Sequence, residues 1–216
     1  MAANTKQIWT AILALFAIAG SAAWIYWREF KTPEHDVALH RRIGEVMAEQ
    51  TVRVAGGKSK IVVMTIPTGG QPELRTQLEA FRAALKKQGQ FELREYEMDP
   101  KEQDKYSVGS GLSGRRYVRT VNKNLDAAVF VSFIGAPHMK DEDIAELKQV
   151  PKFVAEARSV DNLPKLFKKQ LISVAVASRF IFPAPGPIQP RTAQERFDKR
   201  YQVVAAESVG TIPKPE

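Results

Sequence analysis

Residues 8–27 read IWTAILALFAIAGSAAWIYW, an unbroken run of twenty positions without a charge. A helix rising about 1.5 Å per residue covers roughly 30 Å over that length, the thickness of a bilayer's hydrocarbon core. Trp9 stands at one end, and Trp24, Tyr26 and Trp27 stand at the other, followed at once by Arg28. Amphipathic rings and a cation at the edges of an apolar run are the composition of a membrane–water interface. The run therefore predicts a single transmembrane anchor over residues 1–30. A signal peptide is the rival reading, with Lys6 as its charged start and Ala19–Ala23 as a small-residue cleavage region. The apolar stretch continues past that cut to Trp27, which favours a retained anchor.

The side of the membrane is set less firmly. Arg28, Lys31, Arg41 and Arg42 follow the helix while Lys6 precedes it, and that bias alone would keep the remainder in the cytoplasm. A large domain can cross regardless of a modest bias. The expectation is a bacterial-type inner (cytoplasmic) membrane, single-pass, with a periplasmic soluble domain and a cytoplasmic one as the alternative.

All 24 acidic residues lie after Trp27, and net charge is +8 with a pI near 9.7. A basic soluble part suits an anionic lipid surface or an acidic protein surface. The cations are dispersed in doublets such as Arg41-Arg42 and Arg115-Arg116, so nucleic acid is not the expected partner. With no cysteine in the chain, disulfides, thiolate catalysis and Fe–S clusters are excluded.

Beyond the anchor, Leu39, Ile43, Val46 and Met47 fall on one face of a lead-in helix over 36–50, closed by Ala55-Gly56-Gly57. Residues 60–67 (KIVVMTIP), 125–134 (LDAAVFVSFI) and 171–182 (LISVAVASRFIF) are continuous apolar runs, as strands buried on both faces require. Residues 91–98 (FELREYEM) carry more charge, as an edge strand does, and 152–158 make a fifth strand. Helices are expected over 72–88 and 114–123, in a short segment that Asp141 caps, with Ile144 and Leu147 inward, and over 163–170. Strands alternating with helices predict an α/β fold, a doubly wound and mainly parallel five-stranded sheet of flavodoxin-like order. The expected organisation is anchor 1–30, linker and lead-in helix 31–57, α/β domain 58–182, and a Pro-rich arm with a short helix over 183–216. Pro183, Pro185, Pro187 and Pro190 stiffen that arm, Thr192-Ala193-Gln194-Glu195 reads as a capping box, and 201–206 can add one peripheral strand.

The succession KIVVMTIP, helix 72–88, FELREYEMD ending in Asp99, a polar loop, a helix and then Asp126-Ala127-Ala128-Val129 resembles the N-terminal lobe of type I periplasmic solute-binding proteins. The resemblance spans residues 58–182 and implies a lobe that contributes to a solute site. That family closes two lobes around its ligand, and the length here accommodates one.

Ligands of open α/β sheets sit beyond the carboxyl ends of the strands. The candidates there are Thr68, Gly69, Gly70, Gln71, Asp99, His138 and Asn162. Gly109–Gly114 (GSGLSG) spells a G-x-G-x-x-G string, but a polar loop leads into it where a dinucleotide site needs a strand; a loop before a helix is the expected role. A Ser132–His138–Asp161 triad lacks a nucleophile elbow, and Ser132 reads as a buried strand hydroxyl. His35, His40 and His138 form no local metal cluster. No catalytic residue, metal or cofactor is therefore expected. The function expected is a non-catalytic, membrane-anchored accessory subunit docking its α/β domain onto a larger membrane complex, whose other subunits would be its partners. The alternative is a membrane-tethered domain that binds a small solute or anion at the strand ends. In either case the chain should stay with membranes through an alkaline carbonate wash and dissolve only in detergent. A mature chain starting near Ala23 and soluble after cell breakage would remove the anchor.

Overall fold

The computed structural model describes residues 5–29, 35–57, 59–98, 111–179 and 192–211. The chain forms two compact units, residues 1–35 and 36–216. In the first, helix α1 (Thr5–Glu29) contains the apolar span Ile8–Tyr26, long and apolar enough to cross a membrane, and none of that span is buried by protein. Trp9, Trp24 and Tyr26 are all more than half exposed. Trp27 and Arg28 belong to the helix, with side chains outside the described residues.

The second unit contains α2 (Val37–Ala55), β1 (Lys60–Thr65), α3 (Pro72–Gln88), β2 (Glu92–Glu97), β3 (Leu112–Ser113), α4 (Gly114–Lys123), β4 (Val129–Ser132), β5 (Pro137–His138), α5 (Asp141–Ala145), β6 (Phe153–Ala157), α6 (Leu163–Lys168), β7 (Val174–Ser178), α7 (Ala193–Arg200) and β8 (Tyr201–Ala205). The main sheet has the order β2-β1-β4-β6-β7-β8, parallel except for β8, which runs antiparallel to β7. The five strands expected are the five parallel ones, and β8 brings the sheet to six. A second sheet, the two-residue pair β3–β5, has no apolar run to announce it.

Alternation within the buried strands sends side chains into two cores. Val62, Met64, Phe130, Phe153, Ala155 and Ala175 face Tyr117, Val118 and Val121 of α4 and Leu163 and Leu166 of α6. Ile61, Val63, Val129, Val131, Val154 and Val176 face α2, α3 and Phe197 of α7. The strand expected over 125–134 shortens to β4, because Asn124 turns the chain and its carbonyl accepts from Ala127 N. At α5 the cap is corrected: Lys140 precedes the helix, and Asp143, buried in its first turn, accepts from Lys140 N at 2.9 Å. Asp141 is instead exposed and paired with Lys169.

Helix α2 belongs to this core. Asp36 caps it through Leu39 N, and Gly56 closes it in the left-handed region at φ 74°. Where α2 crosses α3, a Cβ added at Gly44 would collide with the Gln77 carbonyl oxygen and lie 2.9 Å from Ala80 Cβ. His40 Nδ1 and Gln77 Nε2 meet beside that crossing at 3.0 Å. Overpacking a contact of this kind costs about 1–3 kcal/mol, and each kcal/mol moves Tm by about 2–4 °C at this size. Gly44→Ala should thus lower Tm, followed by circular dichroism, by roughly 3–10 °C. An unchanged Tm would show that the helices do not approach so closely.

Candidate functional site

The strand order reverses between β1 and β4: from β1 the chain steps outward to β2, then crosses back to β4 and onward. Such a switch point opens a crevice at the carboxyl ends of the two strands. On the β1 side, Thr68 O accepts from Gln71 N at 3.0 Å and Gly70 adopts φ 80°, so a tight turn delivers the chain to α3. The positive φ accounts for Gly70; Gly69, Gly70 and Gln71 are exposed and Thr68 half-buried. On the β4 side, the Ser132 hydroxyl donates to Gly135 O at 2.7 Å and accepts from Ile134 N. That hydroxyl shapes the loop.

Gly111 and Gly114 of the glycine string serve a backbone contact. A Cβ at Gly111 (φ 89°) would sit 2.5 Å from Ala136 O, and one at Gly114 would strike His138 O and the Asp143 carboxylate. A Cβ at Gly135 would lie 2.7 Å from Gly111 Cα. The close approach lets β3 pair with β5, with Ser113 opposite His138. Gly109 lies outside the described residues.

His138 is exposed on this small sheet, and Asn162 Nδ2 donates to Pro137 O at 3.2 Å. The structure therefore joins Asn162 to the Pro137–His138 segment, while Thr68–Gln71 occupies the β1 end of the same rim. Asp99 and the arm prolines Pro183, Pro185, Pro187 and Pro190 lie outside the described residues.

Four residues near the rim were not singled out in the sequence. Glu156, near the end of β6, points into the core shared with α2 and α3 and is 1% exposed. Arg158 Nε and the Tyr201 hydroxyl each reach its Oε1 at 3.5 Å, the long limit of a polar contact. Glu73, in the first turn of α3, acts on all three through its charge. Burial pushes the Glu156 carboxyl up to about 7; Arg158 and Tyr201 pull it back in part, and Glu73 adds to the rise. The Tyr201 phenol is raised as well, first by burial and then by Glu156. Arg158 itself is 58% exposed at the rim. Of this cluster, the exposed Arg158 guanidinium can hold hydroxyl or charged groups of a small polar molecule, with Glu156 buried beside it. The one signal for them in the sequence is the lone carboxylate in FVAEA.

No protein-family model and no curated protein matches the sequence. Solved structures do match. An arabinose-binding protein from Geobacillus stearothermophilus aligns at TM-score 0.56 and 13% identity over 81% of this chain and 63% of its own. A transporter solute-binding protein from Burkholderia graminis, in complex with D-arabinose, gives 0.57 and 17% over 81% and 62%. A putative LacI transcriptional regulator from Bacteroides fragilis gives 0.54 and 13% over 80% and 61%. The fold resembles that of type I sugar-binding proteins. At these identities the likeness concerns the fold, and this chain spans less than two thirds of the length of each of the three.

The buried carboxyl has a consequence for stability. With a folded pKa near 7 against an ordinary value of 4.5, the native state holds a proton that the unfolded chain releases in that interval. The native state is then favoured fully below about 4.5, and stability falls as pH rises through about 7. The shift corresponds to on the order of 3 kcal/mol. Urea titrations at pH 5 and pH 8 should show that loss in the wild type and little of it in Glu156→Gln. Equal pH dependence in both proteins would mean that Glu156 is hydrated in the native state.

Proposed function

We propose that the α/β unit binds a small polar solute at the carboxyl-end rim and that α1 tethers it to a membrane. The observation that carries this reading is the strand-order reversal between β1 and β4, which opens a crevice where Thr68–Gln71, Pro137–His138 and the β6 end with Arg158 all emerge. The fold shared with sugar-binding proteins supports a neutral or weakly charged polyol as the first class to test. In this reading the chain is not an enzyme: the Ser132 hydroxyl is engaged in its own loop, and the rim residues recognise without transforming.

A second reading keeps the tether and makes the unit an accessory subunit docked on a larger membrane complex. It draws on α1 and the basic charge, since the arm prolines expected to brace a partner lie outside the described residues. Ligand binding has the further support of the switch-point geometry.

Thermal unfolding of the detergent-purified full chain should separate the two. A ligand at a hundred times its Kd adds about 2.7 kcal/mol, or a Tm rise of roughly 5–10 °C at this size. A panel of pentoses, hexoses and small anions should contain at least one that gives such a saturable rise. His138→Ala should weaken it about tenfold while leaving the unliganded Tm close to wild type, since His138 is exposed. No response across the panel, with stoichiometric co-purification of other membrane subunits, would transfer support to the accessory reading.

A further inference from the structure

Helix α4 (GRRYVRTVNK) carries four cations and no acid. Its inner side is committed, with Tyr117, Val118, Thr120 and Val121 buried against the sheet. Arg115, Arg119 and Lys123 are exposed, at i, i+4 and i+8. Positions four apart lie above one another on a helix, about 6 Å apart along the axis, so the three cations form one stripe roughly 12 Å long. None of the three makes an ion pair among the described residues. In the opposite helical layer Arg42 pairs with Glu45 and Glu49, Arg82 with Glu95, and Arg196 with Asp36, while Arg41, Arg53, Lys86 and Lys87 are exposed without an ion pair among the described residues.

Beyond the stripe the same end of the unit continues in kind. Asn122 holds the loop after α5 by donating to Glu146 O and accepting from Lys148 N, which sets the exposed Lys148 beside Lys123. Gln149 Nε2 donates to Leu125 O at 3.0 Å, which brings together Leu125 and Val150, two of the few large apolar side chains exposed outside α1. Among the described residues, Glu142 and Glu146 are the exposed acids nearby that lack an ion pair, against four such cations.

We propose that the α4 stripe is a docking surface for an anionic bilayer, on which the α/β unit lies by its α4 side. The occupant follows from charge and from the rest of the chain. A row of cations without ion pairs among the described residues matches a lipid surface rich in phosphate, to which each basic side chain is attracted independently, with no pocket required. Three or four cations bind such a surface weakly on their own. The apolar span ends at Tyr26, about ten residues before Asp36 opens the α/β unit. A short tether raises the local concentration into the millimolar range, where weak attraction is enough. The inference rests on α1 being a retained anchor, and it is independent of any solute at the rim.

The chain has no cysteine, so one introduced thiol is a unique probe. Leu125→Cys, exposed one position past Asn124 at the end of α4, would carry a donor fluorophore. Gln88→Cys on α3 serves as the control. The full chain is inserted into nanodiscs of phosphatidylcholine alone or with 30% phosphatidylglycerol, each holding a headgroup-labelled acceptor. Energy transfer from position 125 should rise at least twofold with phosphatidylglycerol and fall back in 0.5 M salt or in Arg115→Glu/Arg119→Glu. Transfer from position 88 should not rise. Transfer from 125 that ignores lipid charge overturns the proposal. So does a stripe that shifts a labelled RNA or DNA oligonucleotide but not the lipid signal. A chain that fails to stay in either nanodisc refutes the anchor itself, an outcome distinguishable from both. Unchanged circular dichroism of the double variant guards against misfolding.

Discussion

Four adjacent strands of the main sheet, β1, β4, β6 and β7, have both faces covered, and most of the architecture answers to that one condition. A parallel sheet cannot be left half in water once crossover helices lie on both sides, so consecutive residues such as Val62 and Val63 enter different cores. The condition reaches beyond the crossover helices. Helix α2 precedes the first strand, yet it closes the face over Val129, Val131 and Val154, and it approaches α3 closely enough that only glycine fits at position 44. Strand β8 shields the edge of β7 from water by antiparallel pairing, while β2 remains at the other edge, with Glu92, Glu95 and Glu97 exposed there as charges that discourage pairing with a neighbour.

Where this condition is violated, the violation lies at the rim. Glu156 sits in a row otherwise made of valine and phenylalanine, with two long polar contacts to compensate its charge. A carboxylate so placed either takes up a proton or draws the nearby guanidinium inward, and the rise to about 7 means that desolvation outweighs the pull of Arg158. An apolar residue of similar size would pack there without that penalty. A polar group retained against the logic of the core, next to the crevice that the topology opens, is the kind of residue expected of a binding site.

Much of the fold was legible because the buried strands are long apolar runs between glycines and prolines. The bounds of α3 and α4, the Thr192–Glu195 capping box and the charged edge strand follow from periodicity and caps, which are local signals. What escaped has non-local causes. The β3–β5 pair is two residues long and exists because Gly111, Gly114 and Gly135 let distant backbones touch; the sequence shows the glycines but not what they approach. The cluster at Glu156 draws on β6, α3 and β8, whose proximity only the strand order reveals. Thr68–Gln71, His138 and Asn162 were legible as strand-end residues, since that inference needs only the direction of each strand.

The shape of the rim bounds what it can do. Small-molecule sites bury 70–90% of their ligand, and a crevice at the edge of a single sheet leaves one side of its occupant in water. Polar contacts there compete with solvent, so a solute held by Arg158, His138 and the Thr68–Gln71 turn alone gains little from each. Tight binding of a solute at such a rim then requires a second surface over it. What lies over the carboxyl ends of β1, β4 and β6 therefore sets how much of a solute's surface such a rim can bury.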